Sequence, residues 1–267
     1  MKIWNDWSAG IGHLIDDGRV PGMYYSSGLL GLRGELRPAP FLTTVTSYEN
    51  AWRDPDSSTK KFAFAAVMLR PDDDTVAVLF DATADGSVTG NTTLTYAHTI
   101  TLDSNEYLLV GVSATGGTDP SGVTYNGVAM TKLTSGSSGS TVNASIWGLA
   151  SPSEGANNVV VTFAGAVDMV SGCVSYTKVN QTHPQTTFFN TETGTTGTAP
   201  SPYTVNAALR GNGILFAVSA DNEATNTDIG ADETSRWQTL QNSAVRGVGS
   251  TRTPRLGYHP HYYSEEP

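Results

Sequence analysis

Five histidines (His13, His98, His183, His259 and His261), one cysteine (Cys173) and scattered acids are the side chains of this 267-residue sequence with the most chemical scope. No histidine pair has the HExxH spacing or another metal-ligand pattern. His259 and His261 flank Pro260 beside Tyr262 and Tyr263, a spacing that suits at most a fortuitous nickel-type site. His98 alternates with Tyr96 and Ile100, as a structural or surface residue of a strand would. Cys173 sits in MVSGCVSYTKV and reads as a small buried hydrophobe. A single cysteine also excludes an intrachain disulfide.

Longer motifs are missing. No Gly-x-Ser-x-Gly elbow, phosphate loop or Gly-x-Gly-x-x-Gly fingerprint occurs. Asp81-x-Thr83-x-Asp85-Gly86 has the alternating oxygens of a calcium loop, but Thr92 stands where the bidentate Glu belongs, so a turn is expected there. Asp72, Asp73 and Asp74 read as solvated turn acids. Glu154, Glu192, Glu223 and Glu233 fall in expected loops, and nothing selects a pair for glycoside hydrolysis. The expectation is a non-enzyme without cofactor or metal. Glycan contact is the alternative, with Trp147 and Trp237 as stacking rings and Asp221 and Asn222 as hydroxyl partners. Trp147, beside Ile146 and near Leu149, reads first as a core residue.

The elements around these residues follow from composition and rhythm. Hydrophobic residues make up 38% and charged residues only 15%, a balance that favours strands and tight turns over helices. The net charge of -10 and pI near 4.8 argue against a nucleic-acid binder, which needs a basic face. No run approaches a membrane span, and the start lacks a cationic segment followed by an apolar one, so neither membrane insertion nor a secretory signal is expected. The sequons at Asn91, Asn143 and Asn180 then read as chance.

Strands are expected near residues 61–70, 75–81, 92–101, 106–114, 122–126, 128–133, 142–149, 157–163, 169–178, 202–208, 212–220 and 235–241. In NNVVVTF, Val159, Val161 and Phe163 share a face; in GILFAVSA, Ile214, Phe216 and Val218 do. Asn126-Gly127 within VTYNGVAMTKL is the preferred type I′ pair for a two-residue hairpin. An internal echo links YLLVGVSATGG (107–117) with GILFAVSADNE (213–223). Equivalent strands in two sheets would bring Thr115, Thr118, Asp119, Asp221, Asn222 and Glu223 to one end.

Three parts result. Residues 1–59, with Trp4, Trp7, Trp52, Tyr24, Tyr25 and frequent Gly and Pro, read as an extended, irregular assembly arm. Residues 60–255 read as an antiparallel β-sandwich, jelly-roll-like, in an all-β protein. Residues 256–267 are an irregular tail.

The order TLTYAHTI, NEYLLVGVSA, SGVTYNGVAMTKL, ASIWGLASPSEGANNVVVTFAGAVDMVSGCVSYTKVNQTHP and GNGILFAVSADNE resembles a β-sandwich (jelly-roll-like) module of bacterial surface and bacteriophage virion structural proteins. The likeness covers roughly residues 80–250, and the module has no assigned activity. GMYYSSGLLGLRGELRPAPF is similar to sequence found beside such modules in phage-like structural proteins. The resemblance implies a virion or extracellular-surface location and a decoration, tail or fibre-associated role. Its partners would be copies of itself, other virion or surface proteins, or glycans. Such modules usually close on one more apolar strand, which RLGYHPHYYSEEP does not supply. FAFAAVMLRP (62–71) looks like that strand moved ahead of the module, completing its own sandwich or a neighbour's. Trp4, Trp7, Tyr24, Tyr25, Phe62, Phe64, Val67 and Leu69 are the interaction residues that this reading implies.

Overall fold

The computed structural model describes residues 48–50, 60–73, 76–101, 103–182, 184–188, 193–196, 203–205, 212–222, 233–241 and 244–253, all within the unit Thr43–Pro267. Trp4, Trp7, Tyr24, Tyr25, Trp52, His13, His183, Glu192, Glu223, His259 and His261 lie outside the described residues, as does the tail 256–267. The described elements are all strands: β1 (Tyr48–Asn50), β2 (Lys60–Leu69), β3 (Leu79–Ile100), β4 (Tyr107–Thr115), β5 (Gly122–Tyr125), β6 (Val128–Ala129), β7 (Thr131–Ser138), β8 (Val142–Ala150), β9 (Gly155–Thr177), β10 (Gln185–Phe188), β11 (Thr193–Thr196), β12 (Tyr203–Val205), β13 (Ile214–Asp221), β14 (Thr234–Gln241) and β15 (Val245–Arg252). The protein is all-β, built from antiparallel sheets.

One sheet runs β10-β2-β13-β15-β14, with β11 along the other end of β2, and a second runs β6-β5-β9-β4-β8-β7, with β3 on β9. β1 and β12 form a separate pair. Strand β2 therefore lies inside its own chain's sheet, in register with β13 from Ile214↔Leu69 to Asp221↔Phe62. Phe64, Val67 and Leu69 are at most 1% exposed. They are core residues of this chain, and of the two alternatives left open for this strand the structure has it completing its own chain's sandwich. Phe62 enters the ladder through its backbone, opposite Asp221 and Gly194.

A further strand, not among those expected from the sequence, follows β14. VRGVGSTR forms β15 between β13 and β14, buried from Val245 to Thr251. Two glycines and two arginines erase any apolar alternation, which hides the strand from a periodicity reading. This sheet also holds the strand expected at 62–71. It contains both β2 and β15.

Two expected breaks are also absent. Asp81–Gly86 is not a turn but part of β3, paired with β9 from Ala82↔Ser175 to Gly86↔Ser171. Residues 157–163 and 169–178 belong to one strand, β9. Together β3 and β9 make one long ribbon, with register shifts at Val88/Asn91 and Asn91/Thr93. Such shifts leave residues unpaired and bend a ribbon sharply. At the bend the Gly90 N–H donates to Asp168 Oδ1 at 2.7 Å, and the Asp168 N–H donates to Thr115 Oγ1 at 3.1 Å.

The bend folds the ribbon onto itself and, among the described residues, gives two cores. Between the two sheets, Ala63, Val67, Leu69, Leu109, Ile146, Val174, Phe216, Val218 and Trp237 pack together. Inside the folded second sheet, Leu94, Ile100, Leu108, Val110, Val112, Tyr125, Trp147, Val159, Val161 and Met169 form another. Strand β4 separates them, its odd residues in the first core and its even residues in the second. This is why it is buried from Tyr107 to Ala114 and shows no solvent-facing polar side there.

Three expectations stand in the coordinates. Asn126 (φ 49°) and Gly127 (φ 77°) take the paired positive φ of a type I′ turn, with Tyr125↔Val128 closing the hairpin. Val159, Val161 and Phe163 share the second core, and Ile214, Phe216 and Val218 the first. The echoing strands β4 and β13 lie across from one another, where the Ser113 hydroxyl donates to the Ser219 carbonyl at 2.7 Å.

Candidate functional site

The fold of the ribbon gathers a serine, a histidine and an aspartate. Ser171, Cys173 and Ser175 recur at every second position of β9, so one face of this half-strand carries only small side chains. The far half of β3 can therefore approach closely. Tyr96 lays its ring over Gly86 and its hydroxyl lies 2.9 Å from Ser171 Oγ, which donates to the Gly111 carbonyl at 2.9 Å. His98 Nε2 lies 3.0 Å from Ser175 Oγ, and Ser175 donates to Asp81 Oδ2 at 2.7 Å. Tyr125 stands edge-on to the imidazole, 6.3 Å between centroids, and its hydroxyl donates to the Gly155 and His98 carbonyls.

These three residue types are those of a hydrolytic triad, but the order differs. In a triad, histidine stands between acid and nucleophile, so that it can take the hydroxyl proton. Here serine stands in the middle. Its single proton goes to Asp81, so the His98 Nε2–H donates to Ser175 and cannot act as its base. Ser175 is also fully buried and His98 is 2% exposed. Burial lowers the His98 pKa below the usual imidazole value, with the Asp81 charge opposing, so the ring is neutral near pH 7. The chain of bonds ties layers together; it does not activate a nucleophile.

Cys173 sits on the same face, buried, with its thiol pushed up to about 12 by desolvation. A thiol so held is inert as a nucleophile. No group of three or more His, Cys, Asp or Glu converges on a metal geometry among the described residues.

The glycan candidates are placed clearly. Trp147 is 7% exposed in the second core, with its Nε1–H donating to Ser145 Oγ at 3.2 Å. Trp237 is 4% exposed and fills a slot between the sheets. A methyl group on Gly172 would lie 2.3 Å from its indole, and one on Gly249 2.2 Å away. Neither ring can present a face to a sugar, because each closes a core. Asp221 is buried at the end of β13, and Asn222 follows it half-buried.

At the loop end predicted from the echo, Asp119 is a hub. Lys132 Nζ donates to its Oδ2 at 2.6 Å and Ser135 Oγ at 3.1 Å, while Asn143 Nδ2 donates to Oδ1 at 3.1 Å. This pins the loop after β4 onto β7 and β8. Asn143 is 3% exposed, so its sequon is closed to modification.

The long ribbon also seals one side of the sandwich. Arg236 of β14 stacks on Phe80 at 3.9 Å from the ring centroid, and Thr83 Oγ1 donates to the Arg236 carbonyl at 3.2 Å. Thr239 Oγ1 donates to Asp85 Oδ2 at 2.8 Å, and Gln241 Nε2 donates to Thr89 Oγ1. Asp81 and Asp85 thus serve the two seams of the ribbon, where a turn is expected from their sequence. The Ser-x-Cys-x-Ser period was the available sequence signal, but its partners lie a whole fold away. No family model and no curated protein matches the chain.

Proposed function

We propose that the chain is a non-enzymatic structural and assembly protein of the phage-virion type, a decoration, tail or fibre-associated subunit that packs against copies of itself. One observation carries this reading: among the described residues, the groups with chemical scope are consumed in holding layers together. Ser175, His98 and Asp81 join the two halves of the ribbon, and Asp119 anchors a loop. Trp147 and Trp237 fill cores. Rigid layered β architecture with its polar groups turned inward suits a building block. The resemblance of residues 80–250 to virion and surface modules points the same way. Assembly by donation of residues 62–71 to a neighbour is not part of the proposal, since β2 is held by β13 of its own chain.

Sedimentation velocity and negative-stain microscopy on the full-length chain test it. Discrete oligomers that persist on dilution are expected. A chain that stays monomeric at every concentration overturns the proposal.

A further inference from the structure

We propose that His98 is an acid-sensitive latch that holds the folded half of the ribbon, together with β5 and β6, against β4 and β8. The flap consists of Thr93–Ile100 of β3, Gly155–Thr162 of β9 and the β5–β6 hairpin, joined by the pairings Thr93↔Thr162 through Ile100↔Gly155 and Gly122↔Thr162 through Tyr125↔Val159. Its inner face contributes Leu94, Ile100, Val123, Tyr125, Val159 and Val161 to the second core. Among the described residues, two side chains of the flap reach directly to the other half of β9: Tyr96, to Ser171 and Cys173, and His98, to Ser175. Only the second contains a group that titrates near neutral pH.

The surroundings of His98 decide the sign. From the near half of β3 it faces Asp81, reached only through Ser175. From β9 it faces Ser175 and, in register, Asn157, with the neutral Cys173 thiol on the same face as Ser175. From β5 it faces Tyr125, a phenol whose pKa burial raises, and Tyr96 beside it on β3 is raised likewise. Among the described residues, Asp81 is thus the one charge in reach. Protonation would put a second charge into the buried seam beside Tyr125 and Ser175, and lifting the flap would hydrate it.

A His with a lowered folded-state pKa binds fewer protons folded than unfolded, so stability rises with pH across the window between the two values. The latch is fully closed above the ordinary imidazole pKa of about 6.5. It weakens as pH falls below that value toward the folded-state pKa. Opening uncovers the second-core faces of β4 and β8, including Leu108, Val110, Val112 and Trp147. The inference does not rest on the proposed function.

Amide hydrogen exchange on the full-length chain, corrected for intrinsic pH dependence, tests it. Peptides spanning 93–100, 122–130 and 155–162 are expected to lose protection several-fold between neutral and mildly acidic pH, while 214–221 of the other sheet holds. His98→Gln keeps a side-chain N–H for Ser175 and cannot titrate, so its flap protection is expected to be flat. Uniform loss across both sheets, or the same loss in His98→Gln, overturns the proposal. If that variant does not fold, NMR titration of the wild-type imidazole decides. A midpoint that tracks flap exchange supports the latch, and one that does not rejects it.

Discussion

Between the two sheets one indole fills a slot walled by glycines, whereas inside the folded sheet a row of serines meets a tyrosine and a histidine. The first contact is bulk against absence: Trp237 fits because Gly172 and Gly249 have no side chain. The second is small polar against large polar: Ser171 and Ser175 leave room for Tyr96 and His98 and also bond to them. Volume governs one interface and hydrogen-bond satisfaction the other. They should therefore fail differently when perturbed.

The largest effect is expected in the glycine slot. Trp237→Ala should destabilise by about 3–5 kcal/mol through the cavity it leaves, read as a lower urea midpoint. Gly172→Ala should cost about 1–3 kcal/mol, because a methyl group 2.3 Å from a rigid indole cannot be relieved by a small shift. A neutral Gly172→Ala would break the volume account. In the serine seam, Tyr96→Phe keeps the ring over Gly86 and removes only the hydroxyl. It should cost about 1 kcal/mol, with an unchanged denaturant slope. A cost as large as that of Trp237→Ala would mean that the seam, and not the slot, dominates. The smallest effect is expected outside both cores, at the sealed side. Phe80→Leu keeps apolar contact but removes the ring under Arg236, and Phe80 is 42% exposed. A loss of about 0.5–1 kcal/mol is expected in a double-mutant cycle with Arg236.

The same division explains what was legible in the sequence. Local chemistry was readable: Asn126-Gly127 specifies its turn without outside help, and the Val-Ser-Ala echo placed β4 and β13 opposite one another. The alternation of Ile214, Phe216 and Val218 pointed to a core because a two-residue period has a single meaning. Strand β15 was hidden because its glycines serve Trp237 of β14, so its sequence records a partner's shape and not its own burial. Asp81–Gly86 looked like a turn because Asp and Gly are turn formers, yet pairing with β9 overrides that preference. The Asp81–Ser175–His98 chain joins residues brought together only after the ribbon bends. No spacing along β3 or β9 could announce it. Trp147 and Trp237 were ambiguous for a plain reason: an aromatic ring looks the same in a sequence whether it faces a core or a sugar.

Strand β2 precedes every strand of the second sheet in the chain, yet its ladder partner β13 follows all of them. The second sheet is a contiguous stretch of chain from β3 to β9. The first sheet closes around it only when the beginning and end of the domain meet. Such long-range closure is slow, because the loop entropy is spent before the ladder forms. During synthesis β2 emerges early; β10 and β11 can cover one of its edges, but the edge toward β13 stays open until Ile214–Asp221 has left the ribosome. That interval is when the protein is most exposed to aggregation, and refolding from denaturant should show its slowest phase in the amides of β2 and β13.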